Sequence, residues 1–245
     1  CTEVDHDSIR DQLFPTKQQR FRQRAYYLAN ITMIDQKIGE ILKALEEQGY
    51  LDDAVIVFTS DHGYHLGEHG HWQKNTLFEN ATRVPLIISA PSSENKGAKS
   101  ISPVELIDLY PTLMDLTNIN TPEHVVGKSL KPIMKNVNAS VRESALTRWR
   151  KGYSIKTKRY RLTKWGSNGE LGYELYDHNS EKEENINLVN NPKYNKVIDS
   201  LKIILDNRIT AARKKPNGLG RQFKNAKPNF EPIFGKCVFS RFSRG

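Results

Sequence analysis

The spacing of apolar and polar positions divides the chain into blocks of different period. From Ala25 to Gln48, the residues Ile31, Ile34, Ile38, Ile41, Leu42 and Leu45 recur at the spacing of one helical face, and Gly49 supplies a stop. Leu51-Asp52-Asp53 reads as a turn. Ala54-Val55-Ile56-Val57-Phe58 then runs continuously apolar and rich in β-branched residues, the pattern of an internal strand buried on both faces of a parallel sheet. Pro85 to Ala90, centred on Leu86-Ile87-Ile88, predicts a second such strand. Helix, short turn and buried strand form half of a βαβ unit.

Further along, Ser102-Pro103-Val104-Glu105 has the form of a capping box with proline at the first helical position. It predicts a helix from Pro103 that breaks or kinks near Pro111 and resumes to about Leu116. After about Arg142 the period shortens. Ala145–Arg150, Tyr153–Thr157, Tyr160–Lys164 and Tyr173–Tyr176 are short alternating segments between glycine or charged turns, which predicts a small antiparallel meander. Val197, Ile198, Leu201, Ile204 and Leu205 mark the inner face of a helix from about Tyr194 to Ala212. The expected organisation is an α/β unit with a mostly parallel sheet flanked by helices over residues 1–141, a small antiparallel sheet with a packing helix over 142–215, and a tail over 216–245.

Composition changes this picture in three ways. The 245 residues are 37% hydrophobic and 9% aromatic, enough for a packed core. No stretch approaches the roughly 20 apolar residues of a membrane-spanning helix. No apolar leader opens the sequence, but it begins at Cys1 rather than Met, so this carries no statement about compartment. Cys1 and Cys237 are the two cysteines, too few for a disulfide-rich scaffold or a multi-cysteine zinc module. The net charge of +9 resides mostly in the last forty residues, where ten Lys/Arg face only Asp206 and Glu231. A basic tail suits a polyanionic substrate, nucleic acid or a membrane surface, or is simply a solvated extension.

The chemistry concentrates at the carboxyl end of the first strand, where open α/β sheets place their ligands. Four of the seven histidines fall in Ser60-Asp61-His62-Gly63-Tyr64-His65-Leu66-Gly67-Glu68-His69-Gly70-His71-Trp72-Gln73-Lys74. Asp61 offers a hard oxygen and His62 a neutral nitrogen, and Gly63 allows the turn that lets neighbours converge on one cation. Gly63, Gly67 and Gly70 argue against a helical zinc site. The alternative is a surface loop in which Asp61 caps the next element.

These residues carry a resemblance. Ala25-Tyr26-Tyr27, Ile34-Asp35, Gly39, Phe58-Thr59-Ser60-Asp61-His62-Gly63, Gly67-Glu68-His69-Gly70, Trp72, Lys74 and Arg83-Val84-Pro85-Leu86 occur in the order of the sulfatase family of the alkaline-phosphatase-like superfamily. Asp108-Leu109-Tyr110-Pro111-Thr112-Leu113, Glu174-Leu175-Tyr176-Asp177 and Asn187-Leu188 extend the match to about Leu188. The histidine after Asp61 resembles the iduronate-2-sulfatase-like branch. Glu181-Lys182 departs from the Asp-Pro often found there in the family.

The resemblance implies a calcium-dependent sulfuric ester hydrolase with one calcium ion. Asp61 and His62 become metal ligands and Lys74 a sulfate contact, while His69 and His71 orient Lys74, approach the substrate or pack the loop. It also implies a formylglycine nucleophile from a C/S-x-P-x-R motif, which the 245 residues lack. Cys237-Val238-Phe239-Ser240-Arg241 has phenylalanine where that motif needs proline, and it follows Asp61 rather than preceding it. The chain is therefore expected to be the C-terminal portion of a sulfatase and inactive alone, with the formylglycine in a missing upstream half. The expected partner is a sulfated small molecule or glycan, with no nucleic acid and no membrane span; the oligomeric state is open. The implied setting is periplasmic or secreted in a bacterium and lysosomal in an animal. Competing readings are a phosphate-ester or phosphonate hydrolase of the same superfamily, and a non-catalytic module that binds polyanions through the tail.

Overall fold

The computed structural model describes residues 16–214 apart from 92 and 94. Cys1, Cys237 and the tail over 216–245 lie outside the described residues. Helix α1 spans Lys17–Glu47, longer than its apolar period because Thr16 and Gln19 form a capping box ahead of it. The Thr16 hydroxyl accepts from the Gln19 N–H at 3.2 Å, and the Gln19 side chain accepts from the Thr16 N–H at 2.7 Å. Gly49, at φ 73°, stops the helix as the sequence predicts.

The expected inward face of α1 is not inward among the described residues. None of its residues is buried, and Phe21, Tyr26, Ile31, Ile34 and Ile41 are exposed. Among the described residues the helix meets the histidine loop, where Arg24 donates to the Leu66 carbonyl at 3.0 Å and the rings of Tyr27 and Tyr64 lie 5.4 Å apart.

Strands β1 (Ile56–Thr59) and β4 (Leu86–Ser89) pair antiparallel, Ile56 opposite Ser89 and Thr59 opposite Leu86. The α/β class stands, but for this pair the parallel pairing and the internal position are corrected. A parallel return needs a long crossover, usually a helix. The intervening chain holds only a two-strand ribbon, β2 (His65–Leu66) with β3 (Trp72–Gln73), and the four-residue helix α2 (Glu79–Thr82). Among the described residues no other strand joins β1 and β4, and Phe58 and Ile87 stay exposed.

The capping box sits one turn later than the sequence suggests. Glu105 and Asp108 form it around a 3₁₀ turn, and helix α3 follows over Leu109–Leu116. Ser102 instead donates its hydroxyl to the Ala139 carbonyl at 2.6 Å. Pro111 therefore falls in the first turn of α3, where its missing N–H costs nothing, and the kink expected there does not form. Helix α4 (Lys131–Lys135) completes this part.

The meander appears as four antiparallel strands in chain order, β5 (Ala145–Trp149), β6 (Gly152–Lys156), β7 (Tyr160–Trp165) and β8 (Tyr173–Asp177). Period-2 alternation gives the sheet two different faces. Tyr153, Ile155, Leu162 and Leu175 pack against Ile198, Leu201, Leu205 and Ile209 of helix α5 (Asn195–Arg213) to form the core. Ser154, Arg161, Thr163 and Tyr176 fill the opposite face and are also buried, under α2 and the histidine loop.

Candidate functional site

Asp61 follows the end of β1 by two residues, where the sequence puts it. The turn behind it is fixed by close approach. The Gly63 N–H donates to the Ala81 carbonyl at 2.9 Å, and a Cβ on Gly63 would meet the Asn80 carbonyl oxygen at 1.9 Å. Only glycine lets the loop lie this close to α2.

Within that turn, Asp61 and His62 face each other. The His62 Nδ1 lies 2.8 Å from the Gly63 carbonyl, a group that can only accept, so Nδ1 carries the proton. The His62 Nε2 lies 3.3 Å from the Asp61 Oδ2, within ion-pair distance and without a hydrogen bond between them. A histidine held by its other nitrogen on a backbone carbonyl is the usual arrangement of a metal ligand. Burial pushes the Asp61 carboxyl up, but His62, the backbone N–H groups of Asp61 and His62, and Lys74 together hold it below its ordinary value. Its side chain is 80% exposed and ionised. A carboxylate oxygen and an imidazole nitrogen free to share one ion fit a divalent cation.

Lys74 is exposed and lines the same cleft as Asp61 and His62. Its charge reaches Asp61, and it makes no ion pair among the described residues. The remaining loop histidines form a separate cluster. His65 is fully buried, with Nε2 2.6 Å from the Thr76 hydroxyl, and burial followed by the charge of His71 holds its pKa below the ordinary value. The His69 ring stacks on Phe78, centroids 4.0 Å apart, and the His71 ring lies 5.8 Å from that of His65. Neither His69 nor His71 lines the cleft that holds Lys74.

A buried polar cluster that sequence reasoning missed supports the loop from the sheet side. Arg161 of β7 donates to Glu184 at 2.6 Å and to Ser154 at 3.2 Å, and also pairs with Glu79. It reaches Thr82 at 2.9 Å, while Glu184 accepts from the Glu79 N–H at 2.7 Å and bonds His178 at 2.8 Å. Burial pushes Glu184 up, yet His178 and Arg161 outweigh it and hold the carboxyl below its ordinary value. Glu79, His178 and Glu184 converge as metal ligands would. Arg161 lies between the two carboxylates and supplies one of the two positive charges needed to balance them, so the contacts seen here are those of an ion-pair cluster. Its role is mechanical: it ties α2, and through Ala81 the Gly63 turn, to the four-stranded sheet.

The cleft itself has a volume of about 1420 Å³ and runs from Asp61 and Lys74 to the β5–β6 side of the sheet and the turn after β8. Three carboxylates line it, Asp61, Glu79 and Glu105. Glu79 is held by Arg161, and Glu105 by Arg142 and Arg208.

Two family models match the chain, "Sulfatase" over residues 5–119 and "N-sulphoglucosamine sulphohydrolase, C-terminal" over residues 67–211. A curated sulfatase from Formosa agariphila is 36% identical over 180 residues, covering 73% of this chain and 35% of its own. Among solved structures, BT4656 in complex with its substrate D-glucosamine-2-N,6-O-disulfate is similar with TM-score 0.70 and 26% identity, covering 86% of this chain and 46% of that one. The phosphonate monoester hydrolase of Silicibacter pomeroyi is similar with TM-score 0.72 and 29% identity, covering 80% and 43%. The chain spans about a third of the length of the curated relatives it matches.

Proposed function

The chain belongs to the sulfatase family, and we propose that it supplies part of the site of a calcium-dependent sulfuric ester hydrolase acting on sulfated glycans. In this reading Asp61 and His62 hold one calcium ion and Lys74 contacts the sulfate. The observation that carries it is the Asp61–His62 pair: an exposed carboxylate oxygen and an imidazole nitrogen 3.3 Å apart, at a strand end, in a cleft with a lysine that makes no ion pair among the described residues. Histidine is an unusual calcium ligand, and the family motif supports its assignment here. The similar structure holding a disulfated glucosamine supports a sulfated sugar as substrate.

When bound, the cation offsets the negative charge of the sulfuryl group. The chain's own residues act around it. The Gly63 carbonyl keeps the His62 Nδ1 proton in place, so Nε2 stays a donor of electrons. Lys74 presents an ammonium where charge builds on the departing sulfate, and a fixed cation there favours the transition state over the ester. The formylglycine precursor motif is not in these 245 residues, so the attacking group is not among the roles assigned to them.

The test is metal binding by the 245-residue chain. Calcium titrated calorimetrically into wild type and Asp61→Ala is expected to bind the first and not the second. Equal titrations would refute the assignment. In an active enzyme carrying this segment, Lys74→Ala is expected to lower turnover about 10²–10³-fold with little change in thermal midpoint. Wild-type turnover in that variant would remove Lys74 from the site. A phosphonate monoester reaction is the second reading, favoured by the structural likeness to the Silicibacter hydrolase. Parallel assays with an aryl sulfate and a phenylphosphonate monoester separate the two.

A further inference from the structure

Seven lysines and arginines line the cleft: Lys74, Arg83, Arg148, Lys156, Lys158, Arg161 and Lys182. Arg161 is paired with Glu79 and Glu184, Arg83 approaches Glu79 at 3.9 Å with a mostly exposed side chain, and the other five make no ion pair among the described residues. The cleft's acids do not balance them, because Glu79 and Glu105 are committed to buried arginines. Lys156 differs from the rest. It is half-buried at the end of β6, and its ammonium donates to the carbonyl of its neighbour Thr157 at 2.8 Å. That neutral carbonyl is its hydrogen-bond partner among the described residues, and the carboxylates whose charge reaches it, Glu79 and Glu184, are already shared with Arg161. Burial also holds its pKa below the ordinary lysine value, with the charges of Glu79 and Glu184 working against that.

Resting on the sulfatase reading of the Asp61 end, we infer a second anion site at Lys156, in the cleft that Lys158 and Lys182 also line, that takes a further acidic group of the same substrate. The substrate is then a glycan with at least two anionic groups, one at the Asp61–Lys74 end and one at the sheet end. The size of the cleft agrees: about 1420 Å³ exceeds the space that one drug-sized ligand usually fills. The second anion is a sulfate or a sugar carboxylate, since an ammonium accepts either.

Three disaccharides decide it, titrated into the 245-residue chain with calcium present: one with a single sulfate, one with a sulfate and a uronate, and one with two sulfates. Wild type is expected to bind at least one doubly charged ligand about tenfold more tightly than the singly charged one, the worth of one charge-assisted hydrogen bond. The ligand that shows the gain identifies the second group. Lys156→Met should abolish the gain without changing affinity for the monosulfated disaccharide, and Lys156→Arg should keep it. Thermal midpoints of both variants check that the fold is intact. No gain in wild type, or a gain that survives in Lys156→Met, overturns the second site. Lys74→Ala should weaken all three ligands alike. If it does not, the sulfatase reading fails at that end, while the Lys156-dependent difference between singly and doubly charged ligands still decides the second site.

Discussion

The four-stranded sheet with α5 and the segment made by α1, β1 and β4 answer the same hydrophobic demand in opposite ways. In the sheet, Ile155, Leu162, Leu175 and Leu205 are all fully buried, and the polar face beneath them is closed by ion pairs. In the other region, among the described residues, no side chain of a 31-residue helix is buried, and Phe58 of β1 and Ile87 of β4 are exposed. Both were written with clear apolar periodicity. Periodicity thus specifies which face seeks burial, not whether a given stretch of chain provides the cover. The candidate site lies on the seam. Asp61 and His62 come from the open region, and the cluster that braces their turn comes from the closed one.

The sharpest way to break this contrast is to cut the brace. Arg161→Met removes the guanidinium from Glu184, a carboxylate 2% exposed, and leaves a buried negative charge without its main partner. Breaking a buried pair in this way costs about 3–5 kcal/mol. Urea denaturation should show it, and calcium affinity should fall as well because the Gly63 turn loses its support. A stability within about 1 kcal/mol of wild type would mean that the cluster does not hold the seam. The same residues set an acid limit. The folded pKa of Glu184 lies below the ordinary glutamate value, and that of Asp177, held down first by Arg159, below the ordinary aspartate value. Groups with depressed folded pKa values contribute stability above their unfolded values and lose it as pH falls through the folded ones. The sheet should therefore be insensitive to pH near neutrality and lose stability as pH drops below about 4.5. An unfolding transition centred near pH 6–7 would assign the loss to histidines instead.

Leu205→Ala tests the closed core directly. The side chain is fully buried against the sheet. Truncation is expected to cost about 2–5 kcal/mol, from lost transfer energy and the cavity left behind. A loss under about 1 kcal/mol would mean that α5 packs loosely.

Next in size is Gly63→Ala. The new methyl group would have to displace the Asn80 carbonyl, a backbone atom that cannot swing aside. Such crowding costs about 1–3 kcal/mol, and it should appear chiefly as weakened calcium binding, since the clash lies between the Asp61 turn and α2. Unchanged calcium affinity would show that this approach does not position the two ligands.

Legibility in the sequence follows the same divide. The meander and α5 are readable within a residue or two because local alternation and helical period agree with the packing that results. Gly49, Gly63 and the placement of Asp61 at a strand end are readable for a similar reason: each depends on a local backbone need. What the sequence conceals depends on distant chain. The antiparallel return of β4 follows from the lack of a long helix between the strands. The Arg161 cluster joins residues 82 positions apart, Glu79 among them, and in the sequence each is only one more charge. Ser102 reads as the cap, but the turn begins after Glu105, whose carboxylate is held by Arg142 and the Leu146 N–H.

The smallest expected effect tests the open region most directly. Ile41 lies on the apolar face of α1 and is 60% exposed. Isoleucine and serine have similar helix propensity, so Ile41→Ser changes the face without changing the helix. If nothing covers that face in the 245-residue chain, the substitution should shift unfolding free energy by less than about 0.5 kcal/mol, as surface changes do. It should also reduce self-association, because an exposed apolar stripe on a long helix promotes it. Denaturation at several protein concentrations, with light scattering alongside, measures both. A loss of about 2 kcal/mol would place the side chain in a packed environment, the cost of uncovering a buried isoleucine. Dependence of that loss on protein concentration would identify a second copy as the cover. A concentration-independent loss would instead assign the cover to the chain itself, and the contrast between the two regions would then be one of packing partner rather than of packing.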